Sequence, residues 1–197
     1  MGKPRFLYLA SQSPRRRQLL EQLGVACELL LPDSSEDAEA LEVVRPGESP
    51  RAYVQRVTQL KLDAALRRLK HRGLPAAPVL CSDTTVALGR EILGKPETDR
   101  HASHMLRMLS GQTHRVFTAV AVGTPRRREQ ALSLSHVQFT EWSPSQIRRY
   151  VASGEPKGKA GAYAIQGRAS AYIADMRGSY SGIMGLPLFE TAQLLRS

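Results

Sequence analysis

The chain has 197 residues, of which 42% are hydrophobic and 23% charged, a composition typical of a globular protein with a packed core. Its net charge of +10 favours an acidic partner, such as a nucleotide, a nucleic acid or a membrane surface. Two cysteines, Cys27 and Cys81, are too few for a disulfide framework or a zinc site.

No apolar run reaches the roughly 20 residues that span a bilayer, and no signal peptide is recognised. We therefore expect a reduced cytoplasmic protein with no membrane partner. The basic cluster Arg126–Arg128 follows a turn-type sequence, Gly123-Thr124-Pro125, and no aromatic residues accompany it. A solvated turn is favoured there over a nucleic-acid site.

The first predicted elements are a buried strand, a tight turn and a helix. The apolar run 6–10 predicts the strand, and leucines at helical spacing predict a helix that ends at Gly24. The turn between them is Ser11-Gln12-Ser13-Pro14-Arg15-Arg16-Arg17. Ser13 fits the N-cap position, and Pro14 fits the first helical position.

This turn has two interpretations. Hydroxyl groups, the free N–H groups of a helix start and three arginines together favour a bound polyanion, most simply phosphate. The alternative is an ordinary capped helix with a solvated basic first turn. Arginines at a helix N-terminus oppose the helix dipole, so a ligand's negative charge would compensate them. We favour the phosphate site.

The rest of the chain alternates between strand and helix patterns. They predict strands over 26–31, 79–88, 91–93, 116–122, 131–139 and 171–174, and helices over about 49–69, 98–109, 143–153 and from 187 onward. An acidic loop covers 32–39, and a glycine-rich loop covers 178–185. This order predicts a single α/β domain over residues 1–197 with a mixed sheet.

Asp83 is the most unusual residue of the strongest predicted strand, Val79–Leu88. Burying a carboxylate among Val, Leu and Ala costs several kcal/mol unless it is paired, metal-bound or protonated. One interpretation is a structural aspartate that accepts hydrogen bonds. The second is a general base or a metal ligand, and we favour it.

Other candidates are less specific. Glu36 and its acidic neighbours could supply oxygen ligands for Mg²⁺ or Mn²⁺, although such a loop is often only solvated. Lys61, Lys95 and Lys159 are candidate phosphate partners, although single lysines are usually surface charges. His114 opens a strand, where a structural histidine is the simpler interpretation.

Taken together, these stretches resemble the Maf family of nucleotide pyrophosphatases nearly end to end. The family's S-x-S-P-R-R, S/A-D-T and S-G-x-T-H motifs correspond to residues 11–16, 82–84 and 110–114. Its K-P pair is Lys95-Pro96, its K-A-G-A-Y-x-I-Q-G stretch is 159–167, and its G-S-Y…G-L-P pattern is 178–180 with 185–187. Several separated motifs in order are more specific than any one alone.

The resemblance implies hydrolysis of a nucleoside triphosphate to the monophosphate and pyrophosphate, with Mg²⁺, Mn²⁺ or Co²⁺ as cofactor. It also implies a mixed, elongated β-sheet flanked by helices, with two lobes around a deep cleft as in the inosine triphosphate pyrophosphatases. Homodimers are common in the family. A nucleoside triphosphate is therefore the expected partner, in preference to nucleic acid.

The family's functional residues map onto this chain individually. Asp83 corresponds to its proton acceptor and Glu36 to its acidic-loop glutamate, and both would hold the metal. Arg15, Thr84 and Gln166 match the base-selecting positions of the branch that acts on dTTP and UTP. The residues that would hold phosphates are Ser11, Arg16, Lys61 and Lys95.

The chain departs from the family pattern at two positions. Gly158 stands where the family usually has Asp before the Lys-Ala-Gly-Ala-Tyr run, and Ala164 stands where it has Gly. Two alternative functions remain: a pyrophosphatase for 7-methyl-GTP, and a nucleotide- or nucleic-acid-binding regulator of cell division with little catalysis.

Overall fold

A seven-stranded mixed sheet forms the centre of the computed structural model, which describes residues 6–33, 36–37 and 39–196. Strand β1 pairs in parallel with β2 and β3, and the other pairings are antiparallel. The order is β2-β1-β3-β5-β6-β7, with β4 paired to β3. The strands are β1 (Leu7–Leu9), β2 (Cys27–Leu29), β3 (Val79–Leu88), β4 (Glu91–Leu93), β5 (Thr113–Gly123), β6 (Arg128–Phe139) and β7 (Ile173–Arg177).

Helices flank this sheet, and the predicted α/β class with a mixed sheet is confirmed. They are α1 (Pro14–Gln22), α2 (Pro50–His71), α3 (Asp99–Leu109), α4 (Pro144–Ala152), α5 (Tyr180–Met184) and α6 (Leu188–Arg196). No helix within the described ranges has the length and apolar character needed to cross a membrane.

Local sequence signals set most helix starts. Ser49 and Thr98 accept hydrogen bonds from the backbone N–H groups three residues later. Ser143 and Gln146 form the predicted capping box at the start of α4. Ser13 occupies the predicted N-cap position of α1, but its side chain makes no capping hydrogen bond.

The glycine-rich loop predicted over 178–185 is partly wrong, because it contains the short helix α5. Ser179 caps this helix by accepting from the N–H of Gly182, which overcomes the weak helix propensity of glycine. The left-handed Gly185, at φ +120°, then ends it.

Separate apolar cores cover the two ends of the sheet. One packs α3 and α4 on the sheet and includes Leu106, Phe139 and Tyr150. The others lie under α1, α2 and α6, and include Leu20 and Leu62. Strand β3 contributes residues to both ends, so its middle lies between them.

Candidate functional site

A cleft of about 1340 Å³ opens over the middle of β3. One wall is the turn from Ser11 to Arg16 at the start of α1, and the opposite wall is the segment from Gly158 to Gln166. The C-terminal half of α2 and the stretch that carries Glu36 and Glu42 also line the cleft, as do β4 and Lys95. This cavity is large enough for a nucleotide-sized ligand.

Four charged side chains form a network at the centre of the cleft. The ammonium group of Lys61 donates to Asp83 Oδ1 at 2.6 Å and to Glu42 Oε1 at 2.7 Å. Lys95 Nζ donates to the two carboxylate oxygens of Glu42 at 2.8 and 3.2 Å. Asp83 and Glu42 therefore face each other across one cation.

This pairing explains how a carboxylate is tolerated in the middle of a buried strand. The side chain of Asp83 is only 11% exposed, and Lys61, at 20% exposure, reaches it from α2. Burial would lower the pKa of Lys61, but Asp83 and Glu42 outweigh burial and leave that pKa raised. Burial would raise the pKa of Glu42, but Lys61 and Lys95 hold it below its usual value. Both shifts favour the charged forms, so Lys61 and Glu42 form an ion pair at neutral pH.

Glu42, which follows the acidic loop, joins this network, whereas Glu36 of that loop does not. Glu42 ends a 3₁₀ turn, Glu39–Glu42, and its carbonyl accepts from the Tyr53 hydroxyl at 2.8 Å. Glu36 instead accepts from Nε and Nη2 of Arg68, both at 2.6 Å. Glu42 is not among the residues predicted from the sequence, because it lies beyond the acidic loop 32–39, where the sequence predicts the metal-binding glutamate.

Arg16 holds the turn at the start of α1 against Gly185, the last residue of the glycine-rich loop 178–185. Its Nε donates to the carbonyl of Gly185 at 2.8 Å, and its Nη1 donates to Ser11 Oγ at 3.2 Å. Ser82 Oγ also lies 2.9 Å from the Gly185 carbonyl oxygen. A Cβ atom on Gly185 would lie 3.3 Å from Arg16 Nε at φ +120°, so glycine suits this contact.

Arg15 and Gln166 meet from opposite walls of the cleft. With its amide oxygen turned toward Arg15, Gln166 accepts from Nε and Nη1 of Arg15, both at 3.2 Å. The two N–H groups of the amide are then available to a ligand.

Thr84 offers a hydrogen-bond acceptor to the cleft, where Gln166 offers donors. Thr118 Oγ1 lies 2.7 Å from the carbonyl oxygen of Gly182 and 3.1 Å from Thr84 Oγ1. A hydroxyl has one proton and a carbonyl can only accept, so Thr118 donates to Gly182 and Thr84 donates to Thr118. The lone pairs of Thr84 Oγ1 therefore remain as acceptors.

Both departures from the family pattern lie in the cleft wall. Gly158 has φ +68°, and a Cβ atom there would meet nothing within 4 Å. Within the described ranges, Ala162 is the only non-glycine residue with a positive φ, so the φ of Ala164 is not positive. Alanine at 164 is therefore compatible with the backbone.

His114 is a structural residue beneath this wall. It is 1% exposed, and its Nε2 lies 2.8 Å from the Tyr163 hydroxyl. Burial lowers the pKa of His114 to about 4, so the imidazole is neutral at pH 7.

A divalent cation fits the chemistry of the central network. In the part of the chain that the structure describes, no group of three or more His, Cys, Asp or Glu side chains forms a complete metal cage. Asp83 and Glu42 nevertheless converge on one ammonium group, so two carboxylates already surround a positive charge. Mg²⁺ is commonly held by one or two carboxylates together with substrate phosphates and water.

Comparisons with known proteins agree with these features. A family model described as Maf-like protein matches residues 6–197. A dTTP/UTP pyrophosphatase of Albidiferax ferrireducens is 71% identical over 98% of this chain and 96% of its own length. A dTTP/UTP pyrophosphatase of Cupriavidus metallidurans is 67% identical over 96% of this chain and 95% of its own length. A solved Staphylococcus aureus Ham1 protein is 14% identical, with a TM-score of 0.42 over 68% of this chain and 71% of that one. At that level of similarity, this last comparison adds nothing to the fold described above.

Proposed function

The chain belongs to the Maf family, and from that premise we propose that it hydrolyses dTTP and UTP to the nucleoside monophosphate and pyrophosphate. One observation carries the proposal. A single cleft holds both the charged network around Asp83 and the pair formed by Arg15 and Gln166. Chemistry at phosphate and selection of a base can therefore take place on one bound nucleotide.

Uracil and thymine suit the polar groups at the base-selecting end. Each presents one N–H donor between two carbonyl acceptors. The amide N–H groups of Gln166 can donate to a carbonyl, and Thr84 offers lone pairs to the N–H group. Cytosine carries an amino group in place of one carbonyl and an acceptor in place of the ring N–H, so it would leave Gln166 and Thr84 without matching partners.

We assign the reaction to Asp83. Its carboxylate, held by Lys61, takes the proton of the water that attacks the α-phosphorus. Lys61, Lys95, Arg16 and Ser11 bind the phosphates and offset the charge that develops on the departing pyrophosphate. Glu42 orients both lysines through its two carboxylate oxygens.

Asp83 and Glu42 are also the residues that would hold a divalent cation, Mg²⁺, Mn²⁺ or Co²⁺. When bound, that ion supplies charge neutralisation at the phosphate oxygens. We assign the ion to Glu42 instead of Glu36, because the latter uses both carboxylate oxygens on Arg68. We further propose that residues 1–197 form one Maf-like domain, that the protein acts in the cytoplasm, and that it is a homodimer. Light scattering of the purified protein would test the dimer.

The decisive experiment measures pyrophosphate release from dTTP, UTP, CTP, GTP and 7-methyl-GTP with Mg²⁺ or Mn²⁺. We expect dTTP and UTP to be preferred, and Asp83→Asn to lower kcat about a thousandfold while nucleotide binding persists. Asp63→Asn is the matched control, because Asp63 pairs with Arg128 outside the network. Preference for 7-methyl-GTP would contradict the base assignment. Nucleotide binding without pyrophosphate release would support the regulator.

A further inference from the structure

The guanidinium group of Arg68 uses three of its nitrogens to bind the acidic loop and the residue that precedes it by two. It is 8% exposed and lies two turns along α2 from Lys61. Its Nε and Nη2 each donate to one oxygen of Glu36 at 2.6 Å, and its Nη1 donates to the carbonyl of Leu30 at 2.8 Å. A bidentate pair whose side chains are 7% and 29% exposed fixes geometry more firmly than a fully solvated ion pair.

A short chain of contacts joins this pair to the catalytic network. Asp37 follows Glu36, and its Oδ1 accepts from the N–H of Ala40 at 3.0 Å, at the start of the 3₁₀ turn. The turn ends at Glu42, whose carboxylate meets Lys61. Helix α2 therefore holds the loop both before and after the turn.

We propose that Arg68 and Glu36 are positioning residues that place the Glu42 carboxylate between Lys61 and Lys95. This inference rests on the proposed function. The loop between Leu30 and Glu42 must lose conformational freedom before Glu42 can hold its position. Arg68 and Glu36 restrict that freedom within the folded protein, so substrate does not have to order the loop.

A direct catalytic role or a purely structural role for this pair would give different results. If Glu36 acted directly on substrate or metal, Glu36→Gln would lower kcat/KM even in a Glu42→Gln background. Arg68→Lys would then not cause the same loss of kcat/KM. If the pair only stabilised the fold, its loss would lower the unfolding temperature and leave kcat/KM unchanged. A positioning pair instead acts through Glu42 alone.

The kinetic test is a double-mutant cycle with UTP as substrate. We expect Glu36→Gln and Arg68→Lys each to lower kcat/KM about tenfold, as loss of an orienting partner commonly does. In a Glu42→Gln background, Glu36→Gln should cost less than about twofold more. Arg177→Gln, which breaks an exposed pair with Asp175, is the control and should change nothing. Full, additive losses in the Glu42→Gln background would overturn the proposal.

A second measurement does not depend on catalysis. Amide hydrogen exchange in a peptide covering residues 39–44 should quicken about fivefold in Glu36→Gln, while exchange in α2 stays unchanged. Unchanged exchange over 39–44 would overturn the positioning role even if activity falls. If wild-type protein hydrolyses no nucleotide but the exchange result holds, the proposed function fails and the structural link stands.

Discussion

Lys61→Met is the sharpest test of the charged network, because it removes one cation that two carboxylates share. Asp83 and Glu42, with side chains 11% and 24% exposed, would then face each other, and within the network Lys95 would pair with Glu42 alone. Breaking a buried pair by removing one member costs about 3–5 kcal/mol. Because the carboxylates keep some solvent contact and Glu42 keeps Lys95, we expect about 3 kcal/mol of lost stability at pH 7. That loss corresponds to a fall in Tm of about 9 °C for a chain of this length.

Urea unfolding of the wild type and the variant, followed by circular dichroism, measures this difference. The loss should shrink as pH falls, because protonation removes the repulsion between the carboxylates that Lys61 no longer offsets. The triple variant Lys61→Met, Asp83→Asn, Glu42→Gln should recover most of the stability and remain inactive. A Lys61→Met protein as stable as the wild type at pH 7 would show that Lys61 does not hold the two carboxylates.

Two further predictions concern the cleft wall. Burial lowers the pKa of His114 to about 4, below its usual value of about 6.5. The neutral imidazole therefore contributes about 3 kcal/mol to the free energy of unfolding. This contribution is complete above about pH 6.5 and is lost as pH falls toward about 4. Urea unfolding from pH 7.5 to 4.5 should show this loss in the wild type but less of it in His114→Gln, and parallel curves would contradict it. Gly158→Asp and Gly158→Ala should each cost about 1 kcal/mol because of the positive φ there, as thermal unfolding would show. Their kcat values should agree within about twofold, because Asp83 and Glu42 already supply the carboxylates that Mg²⁺ usually takes from protein; a larger gain in the Asp variant would show that a third carboxylate matters.

The sequence predicts the regular elements well where local chemistry decides them. Strands β3 and β4 have the predicted bounds, because a hydrophobic run, a Gly-Arg turn and a short return strand leave little choice of register. The capping box at Ser143 is likewise a local arrangement. Helix α5 is not predicted by the sequence pattern, because its stabilising contacts, such as Leu188 N–H to Ser181 Oγ, depend on the packed C-terminal segment.

The position of the acidic loop illustrates what sequence patterns leave open. Glu36 and Glu42 are both glutamates in one polar stretch, and residue type alone does not say which meets Lys61. The structure separates them because Arg68 binds one glutamate and Lys61 binds the other, and both cations lie on the same helix. Which glutamate meets Lys61 depends on how far apart Lys61 and Arg68 lie along α2. Local propensity does not encode that spacing.

The balance of charge in the cleft connects the fold to its proposed substrate. Within the network and the two walls, two carboxylates, of Asp83 and Glu42, are outnumbered by five cations, on Arg15, Arg16, Lys61, Lys95 and Lys159. The cleft therefore keeps a positive charge, which suits a triphosphate that remains negative when a divalent cation accompanies it. The arginines at the start of α1 belong to this excess, and there they oppose the helix dipole at a cost in stability. Their cost in stability is offset when an anionic ligand binds between the walls, so we expect nucleotide to stabilise the protein more than its contacts with the base alone would.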